Sequence, residues 1–154
     1  LGSVSLTYVH ATLDAPPPAT AGDPSPAYTS GQLLPYVPSI VLRSDVGVRH
    51  AIGKVSGQSV VGRIGAGYTL LGSRPLPHGQ FANAFSLVDA SASVRWRELE
   101  LGVDVYNVLD QRYADTELFF PSNWGTREVP STLPARHIVA GAPRSALATL
   151  TVHL

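Results

Sequence analysis

Between Asp115 and His137 the chain gathers Glu117, Phe119, Phe120, Asn123, Trp124, Arg127, Arg136 and His137. Aromatic rings beside a guanidinium and an amide can grip a bulky solute in a concave site. The rings supply apolar area and the polar tips supply direction. Phe119, Phe120, Asn123, Trp124, Arg127 and His137 are therefore the candidate ligand-contacting residues. The plainer alternative is that these rings pack on one another or mark a membrane interface, where Trp and Tyr are enriched. Other chemistries have little support. The five histidines are scattered with no H-x-x-x-H pair, and cysteine is absent. That excludes a disulfide framework and any Cys-ligated metal. No Ser, His and acid are placed as a triad requires. The run from Gly62 to Gly67 lacks the G-x-G-x-x-G order and the strand–turn–helix setting of a nucleotide loop. No catalytic residue, metal or cofactor is expected.

Composition narrows the setting. The 154 residues suffice for one ordinary domain. Hydrophobic residues make up 44% and charged residues 14%, against a usual charged share of about 25%. So few charges are unusual for a surface wholly in water. The formal net charge is zero, and ten of the eleven basic residues are Arg. No basic run exists, so no nucleic-acid partner is expected. No apolar run approaches the roughly 18 residues of a membrane helix. The chain opens mid-pattern on Leu-Gly-Ser-Val without Met or a signal peptide. It is expected to be a piece of a longer precursor.

The elements that must position these residues are strands. Leu99, Leu101, Val103 and Val105 alternate with Glu100, Gly102, Asp104 and Tyr106. A period of two marks a strand with one apolar and one polar face. Similar alternation predicts strands over Ser39–Ile52, Ser59–Leu71, Phe85–Trp96 and Ala146–Leu154. Leu1–Asp14 is also strand-like, with a change of parity near Tyr8 that a bulge would explain. Residues 15–38 hold seven prolines and read as loop. Residues 72–83 and 111–144 read as loops too, whereas Gly53–Gly57 and Arg97-Glu98 read as tight turns. Long and short connections thus alternate, as in transmembrane barrels. The predicted fold is all-β: an antiparallel transmembrane β-barrel segment of about six strands, with long outer loops and short periplasmic turns. In such a barrel Arg43, Asp45, Arg49, Arg63, Asp89, Arg95, Glu100 and Asp104 are the candidate lumen-facing residues. They would form a hydrated wall of paired charges or, more sharply, touch a plug or line a solute path. Ser44 and His50 are polar exceptions on the apolar parity.

The run holding Val105, Asn107, Val108, Leu109, Asp110 and Tyr113 resembles the penultimate strand of TonB-dependent outer-membrane receptors. Other stretches resemble parts of that family in the same order. They are Gly31–Pro38 (GQLLPYVP), Leu71–Pro77 (LGSRPLP), Phe85–Asp89 (FSLVD) and Pro134–Leu154 (PARHIVAGAPRSALATLTVHL). Gly141, Ala142, Pro143 and Arg144 are the most familiar part of the last. One departure is the C-terminal residue, which is usually Phe or another aromatic and here is Leu154. The resemblance implies that residues 1–154 are the C-terminal portion of a barrel of about twenty-two strands, with the plug and earlier strands absent. Six strands alone cannot close in lipid without leaving costly unpaired edges. It further implies a Gram-negative outer-membrane transporter for a scarce bulky solute: a ferric siderophore, cobalamin or glycan. The implied partners are the remaining strands and plug domain, the TonB complex acting through that plug, outer-membrane lipid and the small solute ligand. No enzyme activity is implied. Two other readings stay open: a soluble β-sandwich binding module, and a passive pore formed by several copies.

Overall fold

The computed structural model describes residues 1–16 and 28–154. Alternating and β-branched stretches become strands: β1 (Gly2–Tyr8), β2 (Ile40–Val55), β3 (Gln58–Leu71), β4 (Arg74–Pro75), β5 (Phe81–Ala82), β6 (Phe85–Trp96), β7 (Leu99–Tyr106), β8 (Ala114–Pro121), β9 (Pro134–Ala140) and β10 (Ser145–Val152). A single 3₁₀ turn, Pro77–Gly79, joins β4 to β5. Six strands form one antiparallel sheet in the order β1-β2-β3-β6-β7-β10. The sheet is open among the described residues, with β1 and β10 at its edges; no pairing closes it into a barrel.

Register keeps the two chemistries apart. Val48 faces Ile64, which faces Ala92, which faces Val103, which faces Ala148. Directly opposed residues project from the same side of a sheet, so this row is apolar from β2 to β10. One position on, Arg49 faces Arg63, Ser93, Gly102 and Thr149 in turn. The tight turns lie at one end. Ser56 and Gly57 both take positive φ, 49° and 78°, as a two-residue hairpin turn with the right twist requires. The described parts of the longer connections lie at the other end and fold into a crown.

Several boundaries differ from the sequence reading. The first strand stops at Tyr8 and has no bulge in its register. Val9 N–H still reaches Ser39 O at 3.0 Å. The next partner, Pro38, has no N–H, so the ladder ends there. Thr12 instead bridges Leu33. β2 runs on to Val55, with Ile52 as an extra residue where the register shifts. The Ile52 side chain lies over Gly62, where a Cβ would meet its Cγ2 at 3.1 Å. The 111–144 connection is not all loop, because β8 and β9 pair into a hairpin within it. Residues 72–83 likewise contain the small β4–β5 clip. Of the proline-rich stretch 15–38, residues 17–27 lie outside the described residues.

Burial is uneven. The accessible surface is 10616 Å², against about 7,500 Å² for a compact monomer of this mass. Ile64 is 64% exposed, Leu101 58% and Leu150 68%, all at the middle of the apolar face. The fully buried side chains Leu76, Ala82, Asn107 and Glu117 belong to the crown or its junction with the sheet.

Candidate functional site

The crown is held by a buried carboxylate. Glu117, on β8, accepts hydrogen bonds from Asn83 N–H at 3.0 Å and Arg136 Nη1 at 3.1 Å. Arg136 sits on β9, two positions from direct opposition with Glu117, and its Nη2 donates to Phe81 O at 3.1 Å. One ion pair thus ties the β8–β9 hairpin to the β4–β5 clip. A buried charge without such partners would be costly, so this contact specifies how the hairpin docks. Tyr36 adds a second tie, its hydroxyl donating to Phe119 O at 3.2 Å. Burial pushes the nearby Tyr28 phenol above its ordinary value, and Tyr36 adds to the rise.

This hairpin divides the candidate ligand-contacting residues. Phe119 lies opposite Arg136, on the side that packs on the clip; its ring is 5.5 Å from His78. Phe120 and His137 project from the other side and stack at 3.9 Å with an interplanar angle of 7°. Trp124 extends the stack, 5.9 Å from His137 and tilted 18°. Ser122 Oγ lies 3.0 Å from His137 Nε2, which fixes the imidazole edge. Asn123 is turned inward to the backbone, its Oδ1 accepting from Gly125 and Ser131 N–H. Arg127 stands exposed at the hairpin tip. The structure therefore brings Phe120, Trp124 and His137 together, gives Asn123 a turn-forming role and places Phe119 in the packing of the crown.

The Asn107–Tyr113 run acts as a clasp. Asn107 and Asp110 take positive φ, 50° and 52°, a conformation that Asn and Asp tolerate better than most residues. Asn107 is buried; its Nδ2 donates to Gln111 O at 3.0 Å and Ala142 O at 3.1 Å, and its Oδ1 accepts from Gln111 N–H at 2.9 Å. Asp110 Oδ1 accepts from Arg144 N–H at 3.0 Å. These bonds join the end of β7 to the start of β10 across the hairpin excursion. Gly141 packs against the Tyr113 ring, and a Cβ there would fall within the ring.

Arg43, Asp45, Arg49, Arg63, Asp89, Arg95, Glu100 and Asp104 share the polar side of the sheet by register. Arg43 organises the crown-ward half. It donates to Asp45 Oδ2 at 3.0 Å, Thr69 Oγ1 at 2.7 Å and Asp89 Oδ2 at 3.3 Å. Asp89 Oδ1 in turn accepts from Asn107 N–H at 3.1 Å. Nearer the turns, Glu100 accepts from Ser93 Oγ at 2.7 Å and lies 3.1 Å from His153 Nε2. An open groove of about 850 Å³ runs along this side, with Arg43, Arg49, Arg63, Asp89, Asp104 and Tyr106 among its walls.

The sequence reading placed Glu117 and Arg136 in the long connection without giving them a role. Their signal lay in two short runs, TELFF and ARHIVA, bounded by Pro121 and Pro134, which carry the β-branched and aromatic content of strands. No group of His, Cys, Asp and Glu among the described residues is arranged to hold a metal ion. No protein-family model matches the chain, and neither a curated protein nor a solved structure matches it.

Proposed function

We propose that this chain is the C-terminal wall of an outer-membrane β-barrel receptor of the TonB-dependent type, importing a bulky solute rather than catalysing a reaction. The observation that carries the reading is the uncovered apolar side of the six-stranded sheet. Val46, Val48, Ile64, Leu101, Val103 and Leu150 are exposed there, while every charged residue of β2, β3, β6 and β7 lies on the opposite side. Lipid covers such a surface without a further protein layer, and the charges then line the interior. β2, β3 and β6 have 16, 14 and 12 residues, more than the about 9–11 that a tilted strand needs to cross a bilayer. Trp96, level with Val60, and Tyr68 stand near opposite ends of the apolar side. Val60 to Tyr68 is about 27 Å of strand, or about 20 Å in projection at a barrel tilt. Aromatics at those two heights suit the two membrane interfaces.

In this reading the crown faces outward and the Phe120–His137–Trp124 stack meets the solute. The remaining strands, the plug, the TonB complex and the solute are partners of the complete protein. The deciding experiment compares media. Residues 1–154 in plain buffer should aggregate, because the apolar side and both edges lack cover. The complete protein in detergent or lipid should give a heat-modifiable barrel. A monomeric, cooperatively melting species of residues 1–154 in plain buffer overturns the reading in favour of a soluble sandwich module.

A further inference from the structure

At the turn end of the apolar side, an arginine stands where the backbone favours glycine. Arg97 opens the tight turn between β6 and β7 with φ 52°. A side chain with a Cβ is disfavoured in that region, and Arg has none of the local hydrogen bonding that lets Asn or Asp tolerate it. A residue held there against preference points to work for its side chain. The Arg97 guanidinium lies over the Trp96 ring, its Cζ 4.9 Å from the ring centroid. Trp96 is on the apolar side, level with Val60 and Leu99. Its Nε1 donates to Val55 O at 3.4 Å, so the indole spans two adjacent turns. The ring supports one face of the guanidinium and leaves its N–H edges unused.

Glu98 completes the turn. Its backbone is fixed, because Glu98 O accepts from His153 N–H at 2.7 Å, and Arg97 O accepts from Arg95 Nε at 3.2 Å. Both side chains are exposed. Among the described residues, the ion pairs are Arg43 with Asp45 and Asp89, Arg136 with Glu117, and His153 with Glu100. Arg97 and Glu98 enter none of them, not even with each other. The turn thus presents a cation and an anion side by side, at the height where Trp96 suits a membrane interface. A simple anion would be drawn to Arg97 and repelled by Glu98. A zwitterion with a phosphate next to an ammonium answers both. Toward the middle of the sheet from Trp96, Val94, Leu99 and Leu101 offer exposed apolar surface.

We propose that the Arg97–Glu98 turn holds the headgroup of an aminophospholipid, a phosphoethanolamine. Arg97, set on Trp96, donates to the phosphate, and Glu98 accepts from the primary ammonium. The acyl chains run along the apolar side past Val94 and Leu101. The proposal rests on the reading of that side as lipid-facing. Each of the two contacts is a charge-assisted hydrogen bond. The indole beneath the guanidinium excludes water from one face and so favours the pair.

Native mass spectrometry of the complete, detergent-solubilised protein, titrated with phosphatidylethanolamine or phosphatidylglycerol, tests this. Phosphatidylglycerol keeps the phosphate and lacks the ammonium. The parent protein should hold phosphatidylethanolamine the tighter. Arg97→Gly should weaken both lipids about threefold, the scale of an exposed charge pair, while leaving the barrel at least as stable because glycine suits the positive φ. Glu98→Gln should weaken phosphatidylethanolamine alone. Lys54→Gln is the control for general attraction to charge, because Lys54 pairs with Ser59 on the polar side; it should change neither. Free phosphoethanolamine should not displace the lipid, since it has no acyl chains. Equal retention of the two lipids by the parent, phosphatidylethanolamine binding indifferent to Glu98→Gln or Arg97→Gly, an equal loss with Lys54→Gln, or displacement by free phosphoethanolamine overturns the proposal. Heat-modifiability of the same sample separates the two claims. A barrel that lacks the preference rejects the headgroup site alone, and a protein that forms no barrel rejects the reading beneath it.

Discussion

The crown and the sheet solve the same problem in opposite ways. In the crown, Leu76 and Ala82 are buried, and buried polar atoms of Asn107 and Glu117 are matched by named donors and acceptors. In the sheet, backbone pairing is continuous over six strands, yet Val46, Val48, Ile64, Leu101, Val103 and Leu150 on the apolar side remain more than two-fifths exposed. Among the described residues the crown answers its buried polar side chains with its own groups, except for Arg74 Nη2, which has no hydrogen-bond partner. The sheet is continuously paired between β1 and β10 and incomplete at those two edges and in cover. A surface of that kind gets its hydrophobic stabilisation from what lies against it, whereas the crown carries its stabilisation with it.

The largest expected effect is on the sheet. Leu101 lies between Val94 and Leu150 at the centre of the apolar side. Leu101→Arg in the complete barrel should cost about 2–4 kcal/mol in lipid, the price of a cation at a midplane lipid-facing position. Thr149→Arg, on the polar side of the neighbouring strand, should be near neutral. Equilibrium unfolding in lipid vesicles measures both. Equal costs for the two variants would show that the sides are not distinguished by lipid.

The next effect belongs to the junction. Asn107→Ala removes two donated hydrogen bonds and one accepted one made by a buried side chain, leaving the carbonyls of the exposed residues Gln111 and Ala142 without that donor. Each lost hydrogen bond contributes about 0.5–1.5 kcal/mol, and water reaching the exposed Gln111 and Ala142 offsets part of the sum. The expected loss is about 2 kcal/mol, confined to residues 107–113 and 141–145. Amide hydrogen exchange should speed up there and stay unchanged at Ile64 and Val94. Faster exchange across the whole sheet would mean that the clasp supports the sheet rather than the crown.

The sequence made the sheet legible and most of the crown illegible, for a physical reason. Strict alternation at Leu99–Tyr106 and Phe85–Trp96 is a local record of which side each residue takes, and register preserved it across all six strands. Asn107 and Asp110 are visible as a pattern, but their positive φ and their bonds to Gln111, Ala142 and Arg144 arise only from the fold. The crown depends on contacts between distant short runs. Glu117 meets Asn83 and Arg136, and Tyr36 meets Phe119, across separations that leave no periodic trace. The ligand-contacting set was gathered by proximity in sequence. A hairpin separates neighbours such as Phe119 and Phe120 onto opposite sides, so that set was divided. Arg49 and Arg63 were legible as polar-side residues, but their direct opposition appears only once register is known.

A smaller effect sharpens the role of the hairpin. The Phe120–His137–Trp124 stack faces away from the clip, and Trp124 is 62% exposed. Trp124→Ala in the complete receptor should weaken solute binding about tenfold, or roughly 1.4 kcal/mol, with barrel formation intact. Phe119→Ala should instead loosen the docking of the hairpin, since its ring packs toward His78. Affinity and heat-modifiable barrel formation on the same preparation distinguish these outcomes. Unchanged affinity on removing Trp124 takes the stack out of the solute site.

The smallest expected effect lies where the two regions meet. Arg43 pairs with Asp45 and Asp89 on the sheet, and Asp89 also holds Asn107 N–H in the clasp. The Arg43 side chain is 45% exposed, so water and salt compete for each of its bonds. Arg43→Ala should therefore cost less than about 1 kcal/mol, and less again at high ionic strength. Asp89 keeps its bond to Asn107 when the guanidinium is gone, so the crown should not register the loss. A double-mutant cycle of Arg43→Ala with Asn107→Ala measures this directly. Independent regions give a coupling within about 0.5 kcal/mol. A coupling above about 1 kcal/mol would show that Asp89 carries strain between them, and that the sheet and the crown are one cooperative unit rather than two.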